Sequence, residues 1–279
     1  TGDARAVLND LADAVGDHSV SSEYAKKISS WKAEWERAHA EIVHPENDEG
    51  PLYQSEVIHI LNEFGDENST TIHASGGVPG DIHKLWNCKA AMDYHSEYGY
   101  SCMGYEIAGA MGVKMADPSR EVYALVGDGS YMMLSQDVVT SIQEGLKITV
   151  ILLDNHGFQC IRGLQTSCGG KDFGNEFRAR ESESDRLEGE FVEIDFCANA
   201  KSMGAVVYRA EDEASLIEAL GKAKEETRTT MIYVPIRRES NIPGYSWWDV
   251  PVSDSSNIPA VRIAHQNYQE AKKKQRFYY

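Results

Sequence analysis

Two short oxygen-rich segments, each placed directly after an apolar run, carry the clearest chemical signal in this chain. The first is Gly127-Asp128-Gly129-Ser130 and the second is Asp154-Asn155-His156-Gly157. The residues between Asp128 and Asn155 suffice for one helix and one strand, so a single β-α-β unit returns Asn155 beside Asp128. Carboxylate, amide and backbone carbonyl oxygens are hard ligands, which suit Mg²⁺ or Ca²⁺ and not zinc.

Such a small set of protein donors leaves room for phosphate oxygens around the metal. Gly127 and Gly129 allow the backbone to approach a phosphate closely. Ser130 opens the next predicted helix, where amide donors and the helix dipole favour an anion. These residues predict a metal-and-diphosphate site, and an ordinary Asp-Gly turn followed by an Asn-containing loop in a Rossmann-like fold is the alternative they leave open.

The elements that position these segments follow from the hydrophobic pattern after residue 51. Strands are predicted at 70–74, 122–126, 148–153, 206–208 and 230–236, and helices at 54–64, 105–114, 131–144 and 212–226. Residues 75–80 and 163–190 have the composition of loops. Apolar strands that alternate with helices predict an α/β fold with a doubly wound parallel sheet, covered on both faces. Ligands bind such sheets at the carboxyl edge, where both segments lie.

The predicted organisation has three parts. Residues 1–50 contain two helical stretches, 3–15 and 24–40, which we interpret as the helical tail of a missing upstream domain plus a linker. Residues 51–240 form the binding domain and 241–279 a C-terminal extension.

Composition excludes several classes of function. The chain has 27 Lys and Arg against 44 Asp and Glu, a formal net charge of −17, so nucleic acid and anionic membranes are poor partners. No apolar run has the length of a membrane-spanning helix. No G-x-G-x-x-G follows a strand, so an NAD site is not predicted. Five cysteines without a C-x-x-C pair argue against a disulfide scaffold or structural zinc and favour the cytoplasm.

The two segments together resemble the binding signature of thiamine-diphosphate-dependent enzymes. The resemblance implies that the domain binds thiamine diphosphate and Mg²⁺, with the metal held by the side chains of Asp128 and Asn155 and by the carbonyl oxygen of Gly157. Asp154 stands where the usual pair has its first Asn, a departure that leaves the metal ligand in place.

Two further segments resemble the acetolactate-synthase-like members of this family. The first, residues 80–86 (G-D-I-H-K-L-W), resembles a segment near the cofactor's diphosphate, and the second, residues 101–105 (S-C-M-G-Y), one whose Met wedges the cofactor into its bent shape. The implied cofactor-binding residues are Gly80, His83, Met103, Gly104, Gly127, Asp128, Gly129, Ser130, Asn155 and Gly157. His83 is also the first candidate for acid–base catalysis, with His156 second. Ordinary packing for Met103, and a surface or capping role for His83, stay open.

Within these enzymes, residues 77–86, 97–106, 126–133 and 246–250 resemble the hydrolases that open trihydroxycyclohexane-1,2-dione to a 5-deoxyglucuronate in myo-inositol degradation. The implied activity is hydrolysis of a C–C bond in a small cyclic dione. Two alternatives remain: an acetolactate-synthase-like lyase acting on 2-oxo acids, and a non-enzymatic subunit that binds Mg²⁺ and a diphosphate for regulation or assembly.

The resemblance also implies a partner. Enzymes of this family take a catalytic glutamate from a pyrimidine-binding domain, which we expect upstream or on another chain, so this chain alone is expected to be inactive. The edge formed by residues 75–105 is rich in large side chains: Trp86, Tyr94, Tyr98, Tyr100 and Met103. We expect it to pack against that domain in a homodimer or homotetramer, unless these residues fill the domain's own core.

Overall fold

The computed structural model describes residues 2–45, 50–244 and 249–276, in two compact units, Thr1–Glu46 and Asn47–Tyr279. The first unit contains α1 (Ala4–Val15) and α2 (Ser22–Val43), close to the predicted stretches. Each begins at a capping side chain, because Asp3 and Ser21 accept hydrogen bonds from free backbone N–H groups of the first turn. None of the residues of α1 is buried.

A parallel sheet forms the second unit, as predicted. Within the described residues its strands are β1 (Ser69–His73), β2 (Tyr94–Ser96), β3 (Glu121–Gly127), β4 (Thr149–Asp154), β5 (Val206–Arg209) and β6 (Thr230–Pro235). Their order is β2-β1-β3-β4-β6-β5, and every neighbouring pair is parallel. The central strand β4 is buried along its whole length, which explains its unbroken apolar sequence.

Helices cover both faces of the sheet. They are α3 (Gln54–Phe64), α4 (Gly77–Leu85), α5 (Tyr105–Ala116), α6 (Asp128–Leu134), α7 (Asp137–Gln143), α8 (Gln159–Ser167), α9 (Phe196–Ser202), α10 (Glu213–Glu225) and α11 (Pro259–Lys272). Alternate residues of β3 and β4 form one core with apolar residues of α5, α7 and α9. Helix α3 packs on α4 and α10. The doubly wound α/β prediction is thereby confirmed.

Residues 75–80, which the composition predicts as a loop, lie partly in a helix, so that prediction is wrong from Gly77 onward. Helix α4 begins there, places Gly80 in its interior, and buries Val78, Ile82 and Leu85 on one face. Pro79 is compatible with a helix because it lies in the first turn, where its missing N–H has no partner to lose. The burial of three apolar side chains outweighs the poor helix propensity of the glycines.

Other boundaries also differ from the prediction. The helix expected at 131–144 begins at Asp128 and is divided into α6 and α7; Met132 and Met133 are exposed and provide no packing that would hold one continuous helix. The loop expected at 163–190 is helical up to Ser167, because it contains the end of α8. That helix has Ile161 and Leu164 one turn apart, but it is nine residues long and otherwise mostly polar, so its composition resembles that of a loop. Strand β2 and helices α9 and α11 were not predicted.

All five cysteines are free thiols. Within the described ranges, no helix combines the length and apolar character that crossing a bilayer requires.

Candidate metal and cofactor site

The strand order creates a crevice between the carboxyl ends of β1 and β3. From β1 the chain crosses to β2 on one side and then returns to β3 on the other, so the winding direction reverses between β1 and β3. Ligands of doubly wound sheets bind outside the strand ends at such a reversal. The loop after β1, the turn before α5 and the beginning of α6 all follow from this edge.

Asp128 is the buried carboxylate at this edge. It follows β3 directly and is 1% exposed. Its Oδ1 accepts a hydrogen bond from the N–H of Gly129 at 2.6 Å, and its Oδ2 accepts from the N–H groups of Gly157 at 2.8 Å and Asn155 at 3.2 Å. Pairing of β3 with β4 therefore brings together the two segments whose meeting the sequence predicts.

Asn155 and Gly157, whose N–H groups contact this carboxylate, bring further oxygen atoms to the same edge. The Oδ1 atom of Asn155 is buried and, in the described structure, has no hydrogen-bond partner. The Gly157 carbonyl accepts a bond from the N–H of Gln159 at 3.1 Å, which leaves a second lone pair. A buried amide oxygen without a partner costs free energy unless an ion or ligand satisfies it. These hard oxygens, one of them charged, fit the ligand preferences of Mg²⁺.

A second buried carboxylate, Asp154, lies close to Asp128. Burial and then the proximity of Asp154 raise the pKa of Asp128 well above its usual value. The oxygens of Asp154 accept hydrogen bonds from the hydroxyl of Tyr233 at 2.7 Å and from the N–H of His156 at 3.0 Å. Asp154 thus has protein partners of its own. A divalent cation at Asn155 and Gly157 would offset the repulsion between the two carboxylates.

Glu176 anchors the segment after β4 that carries the proposed metal ligands Asn155 and Gly157. Its carboxylate accepts hydrogen bonds from Arg178 at 2.6 Å, Arg238 at 2.6 Å and Gln159 at 3.1 Å. Burial raises the pKa of Glu176, but these partners outweigh it and hold the pKa at about 2. Two backbone hydrogen bonds, of 2.7 and 3.0 Å, also join segment 175–177 to segment 156–158. The ligand segment is therefore held by these bonds as well as by those to Asp128.

Met103 and Gly104 form the turn before α5. The N–H of Cys102 donates to Glu97 at 2.6 Å, and the N–H of Gly104 donates to the hydroxyl of Ser130 at 2.7 Å. Backbone bonds on both sides thus fix the half-buried Met103. Gly104 has a φ of +86°, which favours glycine, and a Cβ there would lie 2.8 Å from the side chain of Leu134.

The candidate base His83 lies in the last turn of α4 and is exposed. Its ring is 5.1 Å from that of Tyr98, 6.2 Å from that of Tyr94 and 6.4 Å from that of His73, centroid to centroid. Within the part of the chain that the structure describes, no hydrogen bond links His83 or Gly80 to the proposed metal ligands. His156, the second candidate, stacks on Phe191 with 4.5 Å between ring centroids.

The aromatic edge of residues 75–105 is divided between core and surface. Tyr98 is 58% and Tyr100 is 91% exposed. Trp86, Tyr94 and Met103 are half-buried, and the rings of Trp86 and Tyr94 are in contact. Two of the five side chains are therefore available to a partner, and Trp86 and Tyr94 pack within their own domain.

Alanine is expected to act differently at two glycines of the site, lowering stability at one and weakening diphosphate binding at the other. Gly157 has a φ of +132°, and a Cβ would lie 2.9 Å from the Cα of Glu176 and closer still to the carbonyl of Asn175. Gly127 has a φ of −75°, and its Cβ would meet no atom within 4 Å. We expect Gly157→Ala to lower the free energy of unfolding by about 3 kcal/mol. Gly127→Ala should leave it within about 0.5 kcal/mol but weaken diphosphate binding, because its methyl group enters the proposed ligand space. Urea unfolding with a thiamine diphosphate titration measures both; equal losses of stability would contradict the assignment.

His73, at the end of β1, predicts a pH-dependent stability. Burial, and then His83 and His95, lower its pKa to about 4, and neither ring nitrogen has a partner in the described structure. The unfolded chain binds a proton at this residue near pH 6.5 and the folded chain only near pH 4, so stability falls as the pH drops between these values.

Replacing His73 with Phe should reduce this acid-induced loss in the free energy of unfolding by up to about 3 kcal/mol. Urea unfolding at pH steps from 7 to 4.5 checks this, with the exposed His18→Phe as control. The same pH slope in the parent and in His73→Phe would show that the imidazole does not contribute.

Sequence reasoning missed three residues that organise this edge: Glu106, Glu176 and Tyr233. Glu106 had a detectable signal, since it is a lone acidic residue among apolar ones in the first turns of α5. Glu176 lies in a polar segment without periodicity, and only the fold shows its partners. The segment 246–250, used above for the resemblance, falls mostly outside the described residues, because 245–248 are not among them.

Comparison with known proteins identifies the family of this chain. The model of the thiamine pyrophosphate enzymes' C-terminal TPP binding domain matches residues 74–234, more than half of the chain, a range that includes Asp128, Asn155 and Gly157. Among curated relatives, the 3D-(3,5/4)-trihydroxycyclohexane-1,2-dione hydrolase of Geobacillus thermodenitrificans is 41% identical over 99% of this chain and 46% of its own length.

Two further relatives bear the same name. The protein of Clostridium tetani is 38% identical over 95% of this chain and 45% of its own length, and hydrolase 2 of Bacillus cereus is 46% identical over 77% and 34%. The chain thus spans less than half the length of these relatives. It belongs to the thiamine pyrophosphate enzymes, whose C-terminal TPP-binding domain it contains.

Proposed function

We propose that this chain holds Mg²⁺ through the side chains of Asp128 and Asn155 and the carbonyl oxygen of Gly157, and thereby anchors the diphosphate of thiamine diphosphate. The observation that carries the proposal is the buried, unpartnered Oδ1 of Asn155 beside the buried Asp128 carboxylate. Gly127 supports it, because the space next to its Cα is open on the same edge.

The remaining cofactor contacts are assigned to the loops around this metal site. They come from Gly80, His83, Met103, Gly104, Gly127, Gly129 and Ser130. The structure adds a packing reason for Gly129, since a Cβ there would lie 2.6 Å from the ring of Phe158. Ser130 binds through its backbone, because its hydroxyl donates to Glu106.

The complete protein is proposed to hydrolyse a C–C bond of trihydroxycyclohexane-1,2-dione. When bound, thiamine diphosphate supplies an electron sink for breaking a bond next to a carbonyl group. The tasks of this chain are to bind the diphosphate, to hold the cofactor's shape with Met103, and to exchange a proton with the substrate at the imidazole of His83. The names of its relatives support this substrate over a 2-oxo acid.

A second domain is needed to complete this site. We place a pyrimidine-binding domain, upstream or on another chain, against the exposed Tyr98 and Tyr100, in a homodimer or homotetramer.

Five free thiols support a reducing compartment, the cytoplasm.

A substrate panel tests the function. The chain, alone and together with a pyrimidine-binding domain from a relative, is incubated with thiamine diphosphate, Mg²⁺ and either the cyclic dione or pyruvate, and products are followed by NMR. We expect ring opening of the dione in the combined sample only. Turnover of pyruvate in place of the dione would favour a lyase, and cofactor binding without turnover of either would favour a regulatory subunit.

A further inference from the structure

Glu106 is a buried carboxylate at the proposed cofactor edge to which no role has been assigned. It lies in the first turn of α5 and is 2% exposed. Burying an ionisable group at such depth is costly unless its oxygens are satisfied by donors. Its surroundings provide those donors.

Polar groups from three segments of the chain surround the carboxylate. The hydroxyl of Ser130, in α6, donates to both carboxylate oxygens, at 2.8 and 2.9 Å. The backbone N–H groups of Gly104, before α5, and of Ser75, after β1, lie near the carboxylate and lower its pKa against the effect of burial. The three segments follow β3, β2 and β1 at the carboxyl edge of the sheet, so one side chain connects them.

Ser130 links the carboxylate to the turn that carries Met103. Its oxygen accepts the N–H of Gly104 at 2.7 Å while its hydroxyl proton is donated to Glu106. Two buried groups thus share one connected network, in which each donor has an acceptor. Removing the carboxylate leaves the buried hydroxyl of Ser130 without its acceptor and takes the negative charge away from the nearby N–H groups of Gly104 and Ser75, so we expect the loops to shift.

We infer that Glu106 is a positioning residue, which sets the relative placement of the β1 loop, the Met103 turn and the start of α6 for binding the cofactor's diphosphate. This inference rests on the proposed function for its ligand. The placement of the three loops, however, is a property of the protein itself and can be measured without the cofactor.

Two variants of Glu106 and one control test the inference. Glu106→Leu keeps the volume but removes every acceptor, and Glu106→Gln keeps one carbonyl oxygen for the hydroxyl of Ser130. The control, Glu121→Gln, removes the charge of a glutamate paired with Lys147 at the opposite edge of the same sheet. Ser130→Ala, which breaks the network from its other end, serves if Glu106→Leu does not fold.

Hydrogen exchange of the full chain without cofactor is the first measurement. In Glu106→Leu we expect about tenfold faster exchange of the amides of Ser75, Gly104 and Ser130 together, with a smaller effect in Glu106→Gln and none in the control. Exchange that changes only within residues 105–107, or not at all, would overturn the inference.

Titration with Mg²⁺ and thiamine diphosphate is the second measurement. Glu106→Leu should bind about tenfold more weakly than the parent, with partial rescue in Glu106→Gln. Unchanged affinity in both variants would refute the positioning role. Failure of the parent to bind would refute the proposed metal site instead, and the exchange data would still decide the role of Glu106.

Discussion

Replacing Asp128 with alanine is expected to abolish the Mg²⁺-dependent binding of thiamine diphosphate. Asp128 is the charged member of the proposed ligand set. Without its carboxylate the metal is held poorly, and the negative charge of the diphosphate is then poorly compensated. It also removes the acceptor for three backbone N–H groups, those of Gly129, Asn155 and Gly157. Because loss of an outer-sphere partner typically weakens a metal site 10–100-fold, we expect loss of the ligand itself to weaken binding by more than about 100-fold.

Isothermal titration with thiamine diphosphate, with and without Mg²⁺, measures this effect. Asp128→Asn keeps one acceptor oxygen and loses the charge, so its affinity should lie between those of the parent and the alanine variant. Asp137→Ala is the matched control, since Asp137 begins the neighbouring helix and is only half-buried. Parent-like affinity in a folded Asp128→Ala protein would exclude the metal assignment.

Truncating Met103 to alanine is expected to lower kcat by about 100-fold while leaving cofactor affinity within a few-fold of the parent. The backbone on both sides of Met103 is fixed by hydrogen bonds to Glu97 and Ser130, so the substitution removes the side chain without releasing the turn. An unbranched thioether fills an irregular gap without competing hydrogen bonds. Loss of such a wedge disturbs the reactive geometry, where errors near 1 Å cost about 100-fold in rate, but not the diphosphate anchor.

The measurement is steady-state kinetics on the complete enzyme together with a cofactor titration. Met103→Leu preserves the bulk and should retain most of the turnover. Met132→Ala is a suitable control, because Met132 lies in α6 and is 52% exposed. Normal turnover in Met103→Ala, or loss of the cofactor altogether, would make Met103 an ordinary packing residue.

The parts of the fold that could be predicted are those whose signal is local. The strands around 122–126 and 148–153 are continuous apolar runs because both faces of the sheet are covered, and helix α3 has a clear apolar stripe. Helix α8 was missed because it is short and mostly polar, with only Ile161 and Leu164 one turn apart as an apolar signal. Helix α4 was hidden by glycine and proline, whose local preference is overridden by the burial of Val78, Ile82 and Leu85.

By itself, the sequence determined the chemistry at the strand ends. Asp128 and Asn155 could be singled out because their side chains are hard oxygen donors and their spacing equals one β-α-β unit, whereas the carbonyl of Gly157 was added by the resemblance to thiamine-diphosphate enzymes. Their meeting at one carboxyl edge follows from parallel pairing alone.

Only the tertiary structure decided how that edge is supported. Glu106 accepts a hydrogen bond from Ser130, 24 residues further along the chain, and Glu176 joins α8 to Arg238, which lies after β6. No local pattern encodes these contacts, because a buried carboxylate is satisfied by whichever donors the packed loops bring to it. The sequence therefore identifies the groups that could bind the metal, and the folded chain determines the side chains that hold them in place.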